Sequence, residues 1–251
     1  MAGHSKWANI KHRKARVDAK RSKIWSKCSR AIIVAAKMGG ADPDANLALR
    51  YAIDEAKAQN MPKDTIEKAI AKGSGKNDAD NYEAVVYEGY DSGGVAVMLD
   101  CLTDNKNRTV PEVRKIFEKN GGNLGSSGCV AYNFKSKGQL FVAKAGADEE
   151  AVMSAALEAG AEDVSDEGEG EGWEVVCEPS DYVAVRGALE SAGFTIESGG
   201  VTMIPQTTVA CTGRDAEKVM NLIEALEDHD DVQKVHANFD IPDEEMERLQ
   251  G

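Results

Sequence analysis

Positively charged side chains crowd the first 37 residues of this chain, at a spacing that one face of a helix would gather. Residues 1–37 hold 11 Lys and Arg but a single acid, Asp18. Six of the cations follow one another at steps of 3 or 4 residues: Arg13, Arg16, Lys20, Lys23, Lys27 and Arg30. That period places them on one stripe of an α-helix. Because such cations repel one another unless an anion lies between them, the stripe predicts a phosphate-binding surface.

Two aromatic rings stand among these cations. Trp7 and His12 could stack on unpaired bases. No segment has the pattern of a helix-turn-helix, a zinc finger or an RNA-recognition motif, so we expect contacts with phosphates to dominate over base reading. The alternative is a solvated charged face that binds nothing. The predicted nucleic-acid-binding residues are Lys6, Trp7, Lys11, His12, Arg13, Lys14, Arg16, Lys20, Arg21, Lys23, Lys27 and Arg30.

A second polar segment precedes a predicted helix. Thr109-x-x-Glu112 has the form of a capping box, so a helix is expected to begin there. The residues before it could hold a phosphate together with the amides of the first helical turn. This possible secondary contact comprises Asn105, Lys106, Asn107 and Arg108. Turn and capping chemistry alone is the alternative.

Other motifs predict no catalytic or metal site. The cysteines, which we expect to be free thiols in a reducing compartment, have no Cys-x-x-Cys pair and no His at zinc-ligand spacing; they are Cys28, Cys101, Cys129, Cys177 and Cys211. The acidic run 165–172 lacks the pattern of a calcium-binding loop and is predicted to be a solvated hairpin, with weak cation binding as the alternative. The glycine-rich segment 121–128 lacks the Gly-Lys-Ser/Thr ending of a nucleotide-binding loop, so we predict a turn that a partner could touch.

Charge divides the chain into a basic start and an acidic remainder. Residues 1–78 carry 17 Lys and Arg against 8 Asp and Glu, a net of +9, and residues 79–251 carry 13 against 35, a net of −22, which together give −13. Such an asymmetry is typical of a basic arm on an acidic body. No apolar run approaches the roughly 20 residues of a membrane helix. The first residues lack the apolar stretch of a secretory signal, although their basic character keeps a transit peptide as an alternative.

The elements that would position these residues begin with helices. We predict an extended arm over residues 1–17 and a helix over 18–38, with Trp25, Cys28, Ile32 and Ala36 on the side opposite the cations. Asp42 and Pro43 predict the start of a second helix that runs to Gln59. Pro62 opens a third helix and Gly73 ends it. Three helices with short connections predict a small bundle.

Strands dominate from Tyr82 onward. Segments 82–90 and 95–102 predict a hairpin, a helix follows to Asn120, and a further strand is expected near 129–134. Residues 138–204 then repeat a strand, helix, strand order twice, which is the ferredoxin-like order. The last elements, a strand over 207–212, a helix over 215–226 and a strand over 232–239, are expected to complete the sheet that begins at Tyr82.

These elements predict an α+β chain in which a three-helix bundle precedes two ferredoxin-like α/β domains, one inserted in the other. The expected divisions are the arm and bundle at 1–78, a middle α/β domain at 79–134 plus 205–240, an inserted α/β domain at 135–204, and an acidic tail at 241–251. An insertion at an exposed loop disturbs little of the host fold.

Several of these segments also resemble the YebC/PmpR family, to which mitochondrial translational activators of cytochrome oxidase belong. The resemblance rests on residues 2–16, Asn-Met-Pro-Lys-Asp at 60–64, Tyr-Glu-Gly-Tyr at 87–90, residues 103–109, and Gly-Gly-Asn-Leu-Gly at 121–125. Asp91-Ser92 stands where the family more often has Gly-Pro, which affects the shape of that turn. The family's matching basic residues here are Lys6, Lys11, His12, Arg13, Lys14, Lys20 and Arg21.

This resemblance implies three domains, a cytoplasmic location and no cofactor. Family members are described both as ribosome-associated translation factors, with a role in relieving stalling at proline-rich stretches, and as DNA-binding transcriptional regulators. Residues and resemblance together predict a non-enzymatic regulator of gene expression that binds nucleic acid, either ribosomal RNA or promoter DNA. We expect a monomer that uses neither a membrane nor a small-molecule substrate. A nuclease or an RNA-modifying enzyme is the remote alternative.

Overall fold

The computed structural model describes residues 18–75, 82–144, 148–166, 172–242, 244–245 and 248, with side chains from Ser22 onward. Two compact units make up the chain. Residues 134–204 form one, and the described residues on either side of them form the other. The α+β class predicted from the sequence is confirmed, with a helical bundle at the N-terminal end and two α/β assemblies after it. No described helix has the length and apolar character needed to cross a membrane.

The helical bundle consists of α1 (Asp18–Gly39), α2 (Leu47–Ala58) and α3 (Lys63–Ser74). Its core contains the predicted apolar side of α1, with Ile32 fully buried against Leu49 and other aliphatic residues. The predicted start of α2 at Asp42 and Pro43 is wrong. Asn46 caps the helix instead, because its Oδ1 accepts the Leu49 amide at 3.1 Å while its Nδ2 donates to two carbonyls at the end of α1.

Segments before and after residues 134–204 form an assembly that we call the outer α/β assembly. Its antiparallel sheet has the order β3-β1-β2-β9 and contains β1 (Glu83–Tyr90), β2 (Ala96–Thr103), β3 (Asn123–Leu124) and β9 (Val232–Ala237). Strand β9 pairs with β2, so after residues 134–204 the chain returns to the sheet that begins near Tyr82, as predicted. Alternate residues of β2 enter a core shared with α4 (Lys106–Lys119) and α7 (Gly213–Glu227). Ala96 and Met98, which alternate with them, are buried as well, so both faces of β2 are covered near its start.

The unit formed by residues 134–204 contains β4 (Phe134–Val142), α5 (Glu149–Glu158), β5 (Ala161–Asp166), β6 (Trp173–Cys177), α6 (Tyr182–Ser191) and β7 (Ile196–Pro205). Its sheet has the order β5-β6-β4-β7, which places the first and third strands of the unit at the centre. That order is the ferredoxin-like arrangement expected from the sequence.

Three short segments differ from the sequence predictions. Helix α4 begins at Lys106 rather than at Thr109, because Asn105 accepts the Arg108 amide at 3.2 Å and the Thr109 hydroxyl is engaged by buried partners. The strand predicted near 129–134 is a 3₁₀ turn, Ala131–Asn133, that leads into β4. The strand predicted over 207–212 shortens to β8 (Val209–Ala210), which pairs in parallel with β10 (Phe239–Asp240) instead of joining the main sheet.

Candidate nucleic-acid interface

The predicted binding residues fall into two groups in the structure. Lys6 through Arg16 lie outside the described residues, and the side chains of Lys20 and Arg21 on α1 are outside them as well. The structure therefore places three cations of the predicted stripe: Lys23, Lys27 and Arg30. All three point toward one segment of the outer α/β assembly, the residues Glu227–Asp231 between α7 and β9. We call this segment the acidic turn.

Each of the three cations contacts the acidic turn directly. Lys23 donates to the carbonyl of Asp228, and its Nζ lies 3.6 Å from an Asp230 carboxylate oxygen. The Lys27 ammonium donates to the Glu227 carbonyl at 2.6 Å. Arg30 donates to the Asp230 carbonyl. None of the stripe's own positions carries an acid, but the acidic turn, some 200 residues later in the chain, supplies partners to its C-terminal half.

Helix α7 explains why cations are favourable at this place. Its last turn carries two glutamates and no Lys or Arg, while the last carbonyls of a helix lack intrahelical partners and carry the negative end of the helix dipole. The carbonyls of Glu227 and Asp228 are such groups, and Lys27 and Lys23 donate to them. Helix α1 thus supplies the positive charge that the C-terminal end of α7 lacks in its own sequence.

Asp231 is the most buried carboxylate of the acidic turn. Its Oδ2 accepts hydrogen bonds from Arg108 at 2.9 Å and from the Thr109 hydroxyl at 2.8 Å, and its Oδ1 lies 3.5 Å from the Arg30 guanidinium. Burial alone would raise the pKa of Asp231, but the hydrogen bonds from Arg108 and Thr109 and the positive charges of Arg108 and Arg30 outweigh it, so the pKa is lowered. Asp231 is therefore ionised and links the bundle to the outer sheet.

The possible secondary contact at 105–108 is also engaged within the chain. Asn105 caps α4, and the Lys106 ammonium lies 2.5 Å from a Glu83 carboxylate oxygen. Arg108 contacts Asp231 and Asp104 through short hydrogen bonds, and these bonds raise its pKa further. Asn107 is exposed. The described contacts at this segment are capping and ion pairing, and binding of a phosphate here stays a prediction.

A polar cleft of about 560 Å³ opens between α1 and the acidic turn. Three cations and five carboxylates line it, together with Tyr82, whose ring lies 5.1 Å from the Arg30 guanidinium, and His229, which pairs with Glu112 at 3.0 Å. Because carboxylates outnumber cations here, the cleft as it stands repels a polyanion. Sequence reasoning missed this arrangement, although the signal was present as the run Glu-Asp-His-Asp-Asp at 227–231.

Four of the five cysteines are buried, which keeps their thiols protonated. Burial raises the pKa of Cys28 and Cys101 to about 12 and that of Cys177 and Cys211 to about 11, so these thiols stay protonated near neutral pH. Among the described residues, no three His, Cys, Asp or Glu side chains converge in a way that could hold a metal ion.

Comparison with known proteins finds relatives that match most of the chain. Residues 5–76 match the family model of the TACO1/YebC N-terminal domain, and residues 82–239 match that of the TACO1/YebC second and third domain. Proteins named "probable transcriptional regulatory protein" from Desulforapulum autotrophicum and Geobacter sulfurreducens are each 53% identical to this chain, covering 97% and 99% of it and 98% and 100% of their own lengths.

A solved structure agrees with the sequence comparison. The crystal structure of a conserved hypothetical protein from Aquifex aeolicus superposes with a TM-score of 0.84 at 48% identity, covering 95% of this chain and 98% of that one. The family models cover the bundle and both α/β assemblies, and the relatives match over almost their full lengths. The chain therefore belongs to the TACO1/YebC family.

Proposed function

We propose that this protein is a non-enzymatic regulator of gene expression that binds nucleic acid in the cytoplasm through its basic start. The observation that carries the proposal is the excess of cations in residues 6–21, which hold seven Lys and Arg against one acid. These seven, which we call the N-terminal cations, are Lys6, Lys11, Arg13, Lys14, Arg16, Lys20 and Arg21. Trp7 and His12 stand among them as stacking groups for unpaired bases.

The contacts of α1 sharpen this proposal. Lys23, Lys27 and Arg30 were predicted to bind nucleic acid with the rest of the stripe, but each already compensates charge on the acidic turn. A phosphate that recruited them would have to displace those partners, at the cost of exposing the carbonyls of α7 and weakening the Asp231 cluster. We therefore assign most of the binding to the N-terminal cations, with Lys23, Lys27 and Arg30 as supporting residues.

The favoured target is ribosomal RNA, with the protein acting as a translation factor that relieves stalling at proline-rich stretches. A basic segment ahead of a helical bundle suits structured RNA, whose loops and grooves accept such segments. The family resemblance supplies the connection to stalling. An acidic body of net charge −22 over residues 79–251 would be kept from the RNA by repulsion, which directs binding to the basic end.

Promoter DNA is the second candidate target. It is favoured by the relatives at 53% identity, which are named as probable transcriptional regulatory proteins. The same N-terminal cations would then contact the phosphates of a duplex, and sequence preference would be weak.

Sedimentation of the native protein from cell extract separates the two targets. If the protein acts on the ribosome, it should sediment with ribosomal particles and return to the light fractions after RNase treatment. DNase treatment serves as the matched control and should leave the ribosomal fraction unchanged. Release by DNase and not by RNase would transfer the proposal to promoter DNA, and slow sedimentation in every condition would contradict both targets.

A further inference from the structure

A buried carboxylate accepts hydrogen bonds from the loop that leads into the 3₁₀ turn. Glu88 is 4% exposed, and its two oxygens accept the amides of Gly128 at 2.7 Å and of Val130 and Ala131 at 2.8 Å. The Glu88 carbonyl also accepts the Gly125 amide at 2.8 Å. Gly128 has φ = +86°, a left-handed conformation that favours glycine. A single residue of β1 thus accepts four backbone amides of residues 125–131.

Tyr132 projects from this loop into solvent. Its side chain is 74% exposed, and in the part of the chain that the structure describes it is the only aromatic residue in the exposed class. At the same loop, the Tyr90 hydroxyl donates to the Cys129 carbonyl at 2.7 Å. The Tyr132 carbonyl accepts from Gln206 at 3.0 Å, which holds the backbone that carries the ring. An exposed aromatic ring on a hydrogen-bonded backbone offers contact area at little entropic cost.

The sequence around Tyr132 is unusual for an acidic chain. Residues 119–147 contain no Asp or Glu, although 43 acids are spread over 251 residues. This stretch of 29 residues is the longest acid-free segment of the sequence, longer than that at the basic N-terminus. The exposed residues of the loop are Gly125, Ser126, Ser127, Gly128 and Ala131, which are small and uncharged. They add no negative charge where a phosphate would approach, and the Glu88 carboxylate beneath them is buried and accepts three amides.

From these observations we infer that Tyr132 and residues 125–131 form a second nucleic-acid contact, at which an unpaired base of a single strand stacks on the Tyr132 ring. We call this surface the tyrosine loop. The inference rests on the proposed function and extends it, because it places a base-stacking contact on the α/β body, separate from the N-terminal cations. An apolar protein partner fits less well, since the exposed neighbours of Tyr132 are glycines, serines and an alanine rather than a continuous apolar patch.

Fluorescence anisotropy with a labelled 12-nucleotide oligo-uridine RNA tests this inference on the full-length protein. Replacing Tyr132 by Leu keeps an apolar side chain and removes the π face, whereas replacing it by Phe keeps the ring and removes the hydroxyl. Stacking predicts that Tyr132→Leu weakens binding about 5- to 150-fold and leaves the salt dependence unchanged, because base–aromatic stacking contributes about 1–3 kcal/mol per base. Tyr132→Phe should bind within about twofold of the parent, as expected if the ring carries the contact.

Two controls make the outcome specific. Val86 is another exposed apolar residue of the same unit, at 47% exposure on β1, and Val86→Ala should not change binding. An RNA duplex of equal length offers no unpaired base, so Tyr132→Leu should not weaken its binding. Thermal unfolding of each variant verifies that the fold is retained. Equal binding of single-stranded RNA by the parent and the Leu variant would overturn the inference, as would equal losses in the Leu and Phe variants.

Deleting residues 2–21 distinguishes failure of this inference from failure of the proposed function. If the deletion removes binding while Tyr132→Leu has no effect, the basic segment carries the function and the tyrosine loop does not. If the deletion leaves binding that Tyr132→Leu then removes, the tyrosine loop binds nucleic acid and the assignment to the N-terminal cations is wrong.

Discussion

Replacing Asp231 by Asn should destabilise the larger unit by about 2–4 kcal/mol at neutral pH. The side chain of Asp231 is 5% exposed and joins Arg30, Arg108 and Thr109, so the substitution removes the charge that two guanidinium groups share. Breaking a buried ion pair costs about 3–5 kcal/mol. The estimate is lower here because Arg108, at 44% side-chain exposure, can be rehydrated.

Urea unfolding followed by circular dichroism measures this loss. Asp230→Asn is the matched control, because Asp230 is 75% exposed and lies 3.6 Å from Lys23, so its replacement should cost about 1 kcal/mol or less. Equal stability of the two variants would refute the view that Asp231 holds α1 against the acidic turn.

The pH dependence of the unfolding free energy tests the role of Asp231 independently. The pKa of Asp231 is lower in the folded protein than in the unfolded chain, so its contribution is complete above the unfolded value of about 4 and is lost as the pH falls through the folded value. The difference in unfolding free energy between the parent and Asp231→Asn should therefore shrink as the pH falls from about 6 to below about 4. The measurement is made over the part of this range in which the parent remains folded. A difference that stays constant or grows over that range would contradict the assignment.

Two further predictions concern the loop and the stripe. Glu88→Gln should lower stability by about 1–3 kcal/mol at neutral pH in urea unfolding. A glutamine side chain has one accepting oxygen, so it cannot accept all three backbone N–H groups that the two oxygens of Glu88 accept. An unchanged urea midpoint would contradict this role. The double variant Lys20→Ala/Arg21→Ala should weaken RNA binding in anisotropy titrations more than the double variant Lys23→Ala/Lys27→Ala does. The second variant should instead lower stability, because it removes contacts to the acidic turn. A larger loss of RNA binding in the second variant would show that the acidic turn does not retain its cations.

Much of the fold could be predicted from the sequence because its signals are local and repeated. The strand and helix order of residues 138–204 defines the ferredoxin-like unit, and the return of β9 to the first sheet follows from where the insertion ends. Element starts were predicted less well where a tertiary contact decides them. Asn46 caps α2 because its side chain also reaches the end of α1, a contact that no local pattern reveals.

At the candidate site, too, the sequence predicts what depends on local spacing but not what depends on contacts between distant residues. Spacing alone could place Lys23, Lys27 and Arg30 on one face of α1, as the helix confirms. It could not show that this face meets the acidic turn, because the partners are about 200 residues away in the chain. Tyr132 was not singled out from the sequence, since a tyrosine beside a glycine-rich segment is equally consistent with burial. Its exposure follows from the way in which Glu88 fixes the preceding loop.

We propose that the N-terminal cations bind nucleic acid while the acidic turn retains Lys23, Lys27 and Arg30. The salt dependence of RNA binding, measured for the full chain and for a variant lacking residues 2–21, tests this division of the cations. Counterion release gives a log-log slope of roughly −0.7 to −0.9 per phosphate neutralised, so seven engaged cations predict about −5 to −6, and ten would give about −7 to −9. We expect the full chain to show the smaller slope and the deletion variant to lose most of its affinity while unfolding at the same urea midpoint. Unchanged affinity and slope after the deletion would contradict the account.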